Sequence, residues 1–410
     1  MAILHHTVTL PALMPRYVER FRCIGASCED SCCSGWPVHI DKKTYDAYRS
    51  KTFPILRQIE TKLRRVEGAE SDAMYATIEP VGEHQHCAAL KNGSCTVQAS
   101  IGESFLSNVC HTFPRVNRSI NGHFEQAMSL SCPEAARLAL LAEDAFDFIE
   151  SPAGMRVDTI YAIEMGTSLM AEAMTEARIF CLNLMRTREL LLWQRLALLG
   201  TFCEALTSNQ YDQHGQNVQA LIKDFTRLIE SGDMTATLDL IRQDHGAQAK
   251  VFALLWSAKG FNATSPFQQA VIEQLSRQLG ADEHGLVSES SLVRGYRRGL
   301  ARLDEALQQA PYLLENFVLN EMFTQLVPFN SEDAYDSYLG LIARFGLLRL
   351  LLAAQCNTTG GLPPVATLMA TVHLHCRRFQ HDRAYTVHVK NALRDSGWAG
   401  LDRLYTLLRT

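Results

Sequence analysis

Eight of the chain's 12 cysteines lie between Cys23 and Cys132, and that crowding constrains the fold more than any other feature. They are Cys23, Cys28, Cys32, Cys33, Cys87, Cys95, Cys110 and Cys132; Cys181, Cys203, Cys356 and Cys376 are scattered through sequence of helical periodicity. The start, Met1-Ala-Ile-Leu-His-His, has no basic segment followed by an apolar run, and the apolar stretch around Leu347–Ala354 is interrupted by Arg349. These features set the expectation of a cytoplasmic chain with no leader and no membrane span. In a reducing compartment eight crowded thiols do not make a disulfide framework. They are soft ligands, suited to zinc or an iron–sulfur cluster. The isolated cysteines read as core residues. With 39 basic and 44 acidic residues the net charge is −5, so nothing global attracts nucleic acid or an anionic surface.

The spacing excludes the common motifs. Cys23-x4-Cys28-x3-Cys32-Cys33 and Cys87-x7-Cys95 contain no Cys-x2-Cys knuckle and no Cys-x3-Cys-x2-Cys triplet. Adjacent side chains point in different directions, so Cys32 and Cys33 do not serve one metal ion equivalently. Either one ligates while the other packs, or they serve two centres. His84, His86 and His111 stand beside Cys87 and Cys110 and read as neighbours of the site rather than ligands.

The expected fold is mainly α, in two parts. Residues 1–150 form a cysteine-rich metal- or cluster-binding region, and residues 151–410 a helical domain. Glu150-Ser-Pro-Ala-Gly-Met-Arg156 reads as the connector, since Pro and Gly interrupt helices. In the first part Asp41 is a helix N-cap for residues 42–66, with a break at Pro54. Residues 74–78 have strand composition. Asn121-Gly122 is the turn of a small β-hairpin over 116–130. Cys132-Pro133-Glu134 opens a helix reaching about Ile149, with the Cys132 thiol at its positive end. In the second part apolar spacing, as at Leu339, Ile342, Phe345 and Leu348, predicts about ten helices.

Several of these residues form a pattern. Arg22-Cys23-x4-Cys28-x3-Cys32-Cys33-x-Gly35-Trp36, with Asp41 and Tyr45, resembles the opening of the bacterial flagellin lysine-N-methylases. Further matching pieces are Cys87, Gly93-x-Cys95, Cys110-His-Thr-Phe-Pro-Arg115, Leu130-Ser-Cys132-Pro-Glu-Ala-Ala-Arg137 and Glu315-Asn316-Phe317-x2-Asn320-Glu321-x-Phe323. The cysteine part is also similar to a wider group of zinc- or iron-chelating proteins, with different spacings. The resemblance implies a protein lysine N-methyltransferase that uses S-adenosylmethionine and acts on flagellin. Together with the thiol count it favours a [4Fe–4S] cluster over zinc, with the eight clustered cysteines as the ligand pool.

The residues themselves add limits. No strand runs into a Gly-rich turn and helix, so a Rossmann donor site is not expected. A lysine ammonium becomes a nucleophile only after losing its proton. Tyr312, Glu315 and Asn316 share a helical face and are candidates to orient the amine or the donor, with Tyr312 and Glu315 as catalytic candidates. Arg115 is a candidate for the donor's carboxylate. Two other classes stay open: a non-catalytic zinc- or iron-binding protein that binds flagellin, and a redox protein.

Overall fold

The computed structural model describes residues 4–50, 53–68, 71–83, 85–164, 168–208, 216–257, 263 and 265–410. With 58% helix against 14% strand, the chain is mainly α. It divides into two compact units. One holds Met1–Leu138, Asp147–Ile163 and Asn262–Ile272; the other holds Ala139–Phe146, Glu164–Phe261 and Glu273–Thr410.

The first unit carries more β-structure than the expected hairpin. Its main sheet has five strands in the order Phe148–Arg156, Thr7–Pro15, His123–Met128, Arg115–Ile120, Tyr161–Ile163. Asn121 and Gly122 have φ of 47° and 82°, the backbone a tight two-residue hairpin needs, and Ile120 pairs with His123 across them. Arg118 and Glu125 face each other in register, both buried, and Arg118 Nε donates to Glu125 Oε2 at 2.8 Å.

The connector expected at 150–156 is instead an edge strand, paired antiparallel with Thr7–Pro15 along all nine residues. Pro152 lies opposite Pro11. Two prolines can oppose each other where the N–H groups point away from the partner strand, and an edge strand tolerates the missing donor. The helix opened by Pro133 therefore ends at Leu141, short of the expected Ile149, because Phe148 is already in that strand.

A three-stranded sheet, Val38–Ile40, Ala76–Ile78 and Leu63–Arg65, covers a second apolar core of Val38, Ile40, Tyr48, Leu56, Ile59 and Ile78. The expected long helix after Asp41 is two short ones, Lys42–Arg49 and Leu56–Glu60. Asp41 caps the first, accepting from Thr44 N at 2.9 Å, and its other oxygen accepts from Asn108 N at 3.1 Å. Buried Arg156 donates to the carbonyls of Leu106 and Glu103 at 2.8 and 2.9 Å. Asp41 and Arg156 thus fix the segment that leads into Cys110.

The second unit is helical. Its central helix, Ala334–Cys356, is long and apolar enough to cross a membrane, yet its apolar window is wholly buried within the fold. Neighbouring helices approach it closely. A Cβ on Gly299 would lie 1.8 Å from the Ala353 carbonyl oxygen, and one on Gly346 would lie 2.0 Å from the Phe252 ring. Cys181, Cys203, Cys356 and Cys376 are all buried in this unit, as expected of core residues.

Candidate functional site

Four separate stretches of the first unit bring thiols to one place, each by a local device. A 3-10 turn over Gly25–Ser27 leads into the loop that carries Cys28, Cys32 and Cys33. That loop is clamped to the strand His86–Cys87. Cys87 N donates to Cys33 O at 2.7 Å, Gly35 N donates to Gln85 O at 3.0 Å, and Ser34 Oγ meets His86 Nδ1 at 2.7 Å. A second Asn-Gly turn, with Asn92 and Gly93 at φ of 51° and 75°, returns the chain to Cys95. A Cβ on Gly93 would lie 3.3 Å from Ala26 Cβ, so this hairpin abuts the turn before Cys28. Ser107 caps the helix Asn108–Thr112, accepting from Cys110 N at 3.2 Å. Cys132 heads the helix Pro133–Leu141.

All eight clustered cysteines line a single cavity of about 830 Å³, within the usual size of a small-molecule site. Phe21, Trp36 and Phe113 supply apolar wall, with Trp36 and Phe113 edge to face at 5.7 Å. The thiols stand around the cavity and are not drawn together. No three His, Cys, Asp or Glu side chains among the described residues form a group able to hold a metal ion.

Burial dominates the thiol chemistry. It pushes Cys28 and Cys87 up to about 11, and Cys110 and Cys132 up to about 12. Cys33 is raised further by its hydrogen bond with Cys32 and then by burial. Backbone hydrogen bonds pull the other way at Cys28, Cys87, Cys95 and Cys132. Cys95 and Cys132 receive them from Gln98 with Val97 and from Ala135 with Glu134, each pair in the first turn of the helix that the cysteine heads. Burial thus favours the protonated thiol at Cys28, Cys33, Cys87, Cys95, Cys110 and Cys132, while backbone donors at several of them would stabilise a thiolate bound to a metal. Eight soft donors with backbone N–H groups aimed at several of them are a chemistry that iron–sulfur clusters and zinc both accept.

Arg115 also lines this cavity. Its guanidinium stacks over Phe21, 5.3 Å from the ring centre, and among the described residues it makes no hydrogen bond or ion pair. Burial lowers its pKa, while Glu103, Cys23 and Cys132 act in the opposite sense. His86 is engaged by Ser34, and burial lowers His111 to about 4, as does the Arg156 charge. His84 lies outside the described residues. Glu19, Glu103 and Glu134 line the cavity too; Glu134 belongs to the Cys132-Pro133-Glu134 helix start, but no motif or spacing pointed to Glu19 or Glu103.

The other candidates lie in the helical unit, and none of them lines the cavity. Glu315 is buried and spent on two guanidinia, accepting from Arg195 Nη1 at 2.7 Å and Arg188 Nε at 2.9 Å. Asn316 Nδ2 donates to the carbonyls of Ala139 and Ala142, both at 2.9 Å. Arg188 stacks on the Tyr312 ring at 4.8 Å. Glu321 accepts from Arg344 Nε at 2.7 Å and from Gln380 Nε2 at 3.0 Å. The shared face of Tyr312, Glu315 and Asn316 is real, but Glu315 and Asn316 hold helices and loops together there.

A family model described as FliB lysine N-methylase C-terminal domain matches residues 178–407. Over 372 residues the chain is 23% identical to a lysine-N-methylase of Salmonella typhimurium, covering 86% of this chain and 87% of that one. A lysine-N-methylase of Salmonella choleraesuis is similar at 23% over 375 residues, covering 87% and 88%. The flagellar biosynthetic protein FliU of Salmonella muenchen is 30% identical over 140 residues, covering 34% of this chain and 80% of that one. No solved structure matches.

Proposed function

The chain belongs to the FliB lysine N-methylase family, and we propose that it is a cytoplasmic enzyme that transfers methyl groups from S-adenosylmethionine to lysine side chains of flagellin, with an iron–sulfur cluster held by the cysteine-lined cavity. The names of its relatives, two lysine-N-methylases and a flagellar biosynthetic protein, support the reaction and the kind of substrate. One observation carries the site: eight thiols from distant segments and the Arg115 guanidinium line the same cavity.

In this reading Arg115 takes the donor's carboxylate, since a planar guanidinium pairs with it through two parallel hydrogen bonds. The aromatic wall of Phe21, Trp36 and Phe113 suits the donor's adenine ring. A [4Fe–4S] cluster, if held by the cavity's cysteines, would supply Lewis-acid iron or a rigid wall beside the donor. The acceptor lysine must arrive deprotonated or lose its proton here. Glu103, a carboxylate lining the same cavity, is our candidate to attract the ammonium and take that proton.

The test is incubation of the full chain, purified without oxygen, with methyl-labelled S-adenosylmethionine and flagellin. Label on flagellin lysines, in protein containing iron and acid-labile sulfide, supports the reading. Stoichiometric zinc without iron removes the cluster, and absence of label from lysine removes the activity.

A further inference from the structure

The strand Phe148–Arg156 is an outer edge of the five-stranded sheet, with Thr7–Pro15 as its only neighbouring strand among the described residues. The register fixes which of its backbone groups are spent. Pro11 and Pro152 lie opposite each other and neither can donate, so theirs is a non-hydrogen-bonded pair. Bonding alternates along an antiparallel ladder. Ser151 and Ala153 therefore turn their N–H and C=O toward Thr7–Pro15, while Glu150, Pro152 and Gly154 turn theirs outward. These three residues are exposed. Among the described residues nothing bonds the outward N–H groups of Glu150 and Gly154 or the outward carbonyls of all three.

The cavity meets the strand at this edge. Ser151, Pro152, Ala153 and Gly154, four residues in a row, all line it. Successive side chains of a strand point to opposite faces, so a cavity lying on one face would touch alternate residues only. Two side chains agree that it runs past the edge from face to face. Ser151 Oγ donates to a Glu19 carboxylate oxygen, and Arg156, five positions on and so on the other face, donates to the Glu103 carbonyl at 2.9 Å. Glu19 and Glu103 both line the cavity. With Asp30 and Glu134 the lining carries four carboxylates against the guanidinia of Arg22 and Arg115, and exposed Glu150 adds a negative charge on the edge itself.

We propose that this edge is where the protein substrate docks: an extended, lysine-bearing segment of flagellin pairs with Glu150–Gly154 as an added strand of the sheet. The proposal rests on the methylase reading above and deepens it. Main-chain bonds hold the segment, and its alternate side chains fall on the two faces where Glu19 and Glu103 stand. A lysine thus enters the cavity beside a carboxylate. Proline and charge are what keep a bare edge from pairing at random. Here Pro152 and Glu150 serve that purpose, yet they leave the Glu150 and Gly154 amides as donors and favour a basic partner.

The experiment uses the full chain and unmodified flagellin. Residue-resolved hydrogen exchange is recorded with and without flagellin, and flagellin affinity and label transfer are measured for the unaltered, Gly154→Pro and Gly154→Ala chains. The Gly154 amide faces outward, so proline there spares the ladder with Thr7–Pro15 and removes a docking donor. Alanine keeps that donor, and its Cβ would lie 3.6 Å from Thr7 Cγ2, an ordinary contact. Flagellin is expected to protect the amides of Glu150 and Gly154 from exchange. Gly154→Pro is expected to bind flagellin at least about tenfold more weakly, and the conservative Gly154→Ala to recover most of that loss. Methylation of flagellin with both amides unprotected overturns the docking and leaves the methylase reading standing, as does Gly154→Pro binding like Gly154→Ala. Protection that appears without flagellin and grows with chain concentration assigns the edge to a second copy and overturns it too. A chain that neither binds nor methylates flagellin overturns both readings. Where Gly154→Pro is insoluble, exchange in the unaltered chain decides the matter.

Discussion

Glu315→Gln separates a structural from a catalytic role for the acidic residue the sequence singled out. The substitution keeps the side chain's shape and removes its charge. The carboxylate is 8% exposed and its partner Arg195 7% exposed, so the guanidinium left behind cannot regain water. Breaking a buried pair from one side costs about 3–5 kcal/mol. Arg188 is 43% exposed and also reaches Glu143 at 3.0 Å, so its share is screened and adds at most about 1 kcal/mol. In a helical unit of this size each kcal/mol moves the midpoint by about 2–4 °C, which places the loss at about 6–24 °C. The assay is calorimetry, with label transfer measured well below the variant's midpoint. Transfer per folded molecule is expected to stay within about twofold of the unaltered chain. An unchanged midpoint with transfer down about a hundredfold, the size of a lost general base, would refute the reasoning and make Glu315 catalytic.

Three further outcomes are expected. Arg115→Lys keeps the charge but loses the paired hydrogen bonds, so S-adenosylmethionine should bind at least about tenfold more weakly by calorimetric titration, with iron content unchanged. Burial holds His375 at about 3, below its ordinary value of 6.5. Between those values the unfolded chain binds a proton that the folded one refuses, so stability falls as pH drops from 6.5 toward 3. In His375→Phe the slope of midpoint against pH should flatten over that range. Cys356→Ser, in the buried core of the helical unit, should leave iron content intact and cost about 1 kcal/mol by denaturant unfolding.

Local signals in the sequence carried through where the chemistry is local. Asp41 caps its helix, and the Asn121-Gly122 hairpin forms in the expected register. Cys132 sits at a helix start, with its thiol facing backbone amides of that helix. What stayed hidden depends on distant pairing. Thr7–Pro15 and Phe148–Arg156 contain prolines that read as breaks, and only their mutual alignment makes those prolines harmless. Residues 42–66 show helical spacing, but Leu63–Arg65 is claimed by the strand Ala76–Ile78. At the site, spacing identified the thiols but not the cavity they line, which is walled in part by a core assembled across residues 38–106. In the helical unit, the charge of Glu315 suggested chemistry because its partners, Arg188 and Arg195, lie more than a hundred positions away.

The most direct measurement is the location of the methyl donor. A photoactivatable S-adenosylmethionine analogue is crosslinked to the anaerobically prepared chain, and the labelled peptides are mapped by mass spectrometry. The account predicts labelling within residues 20–135, at peptides carrying the cavity's cysteines and Arg115, and competition by unmodified donor. Competed labelling confined to residues 178–407 would contradict it.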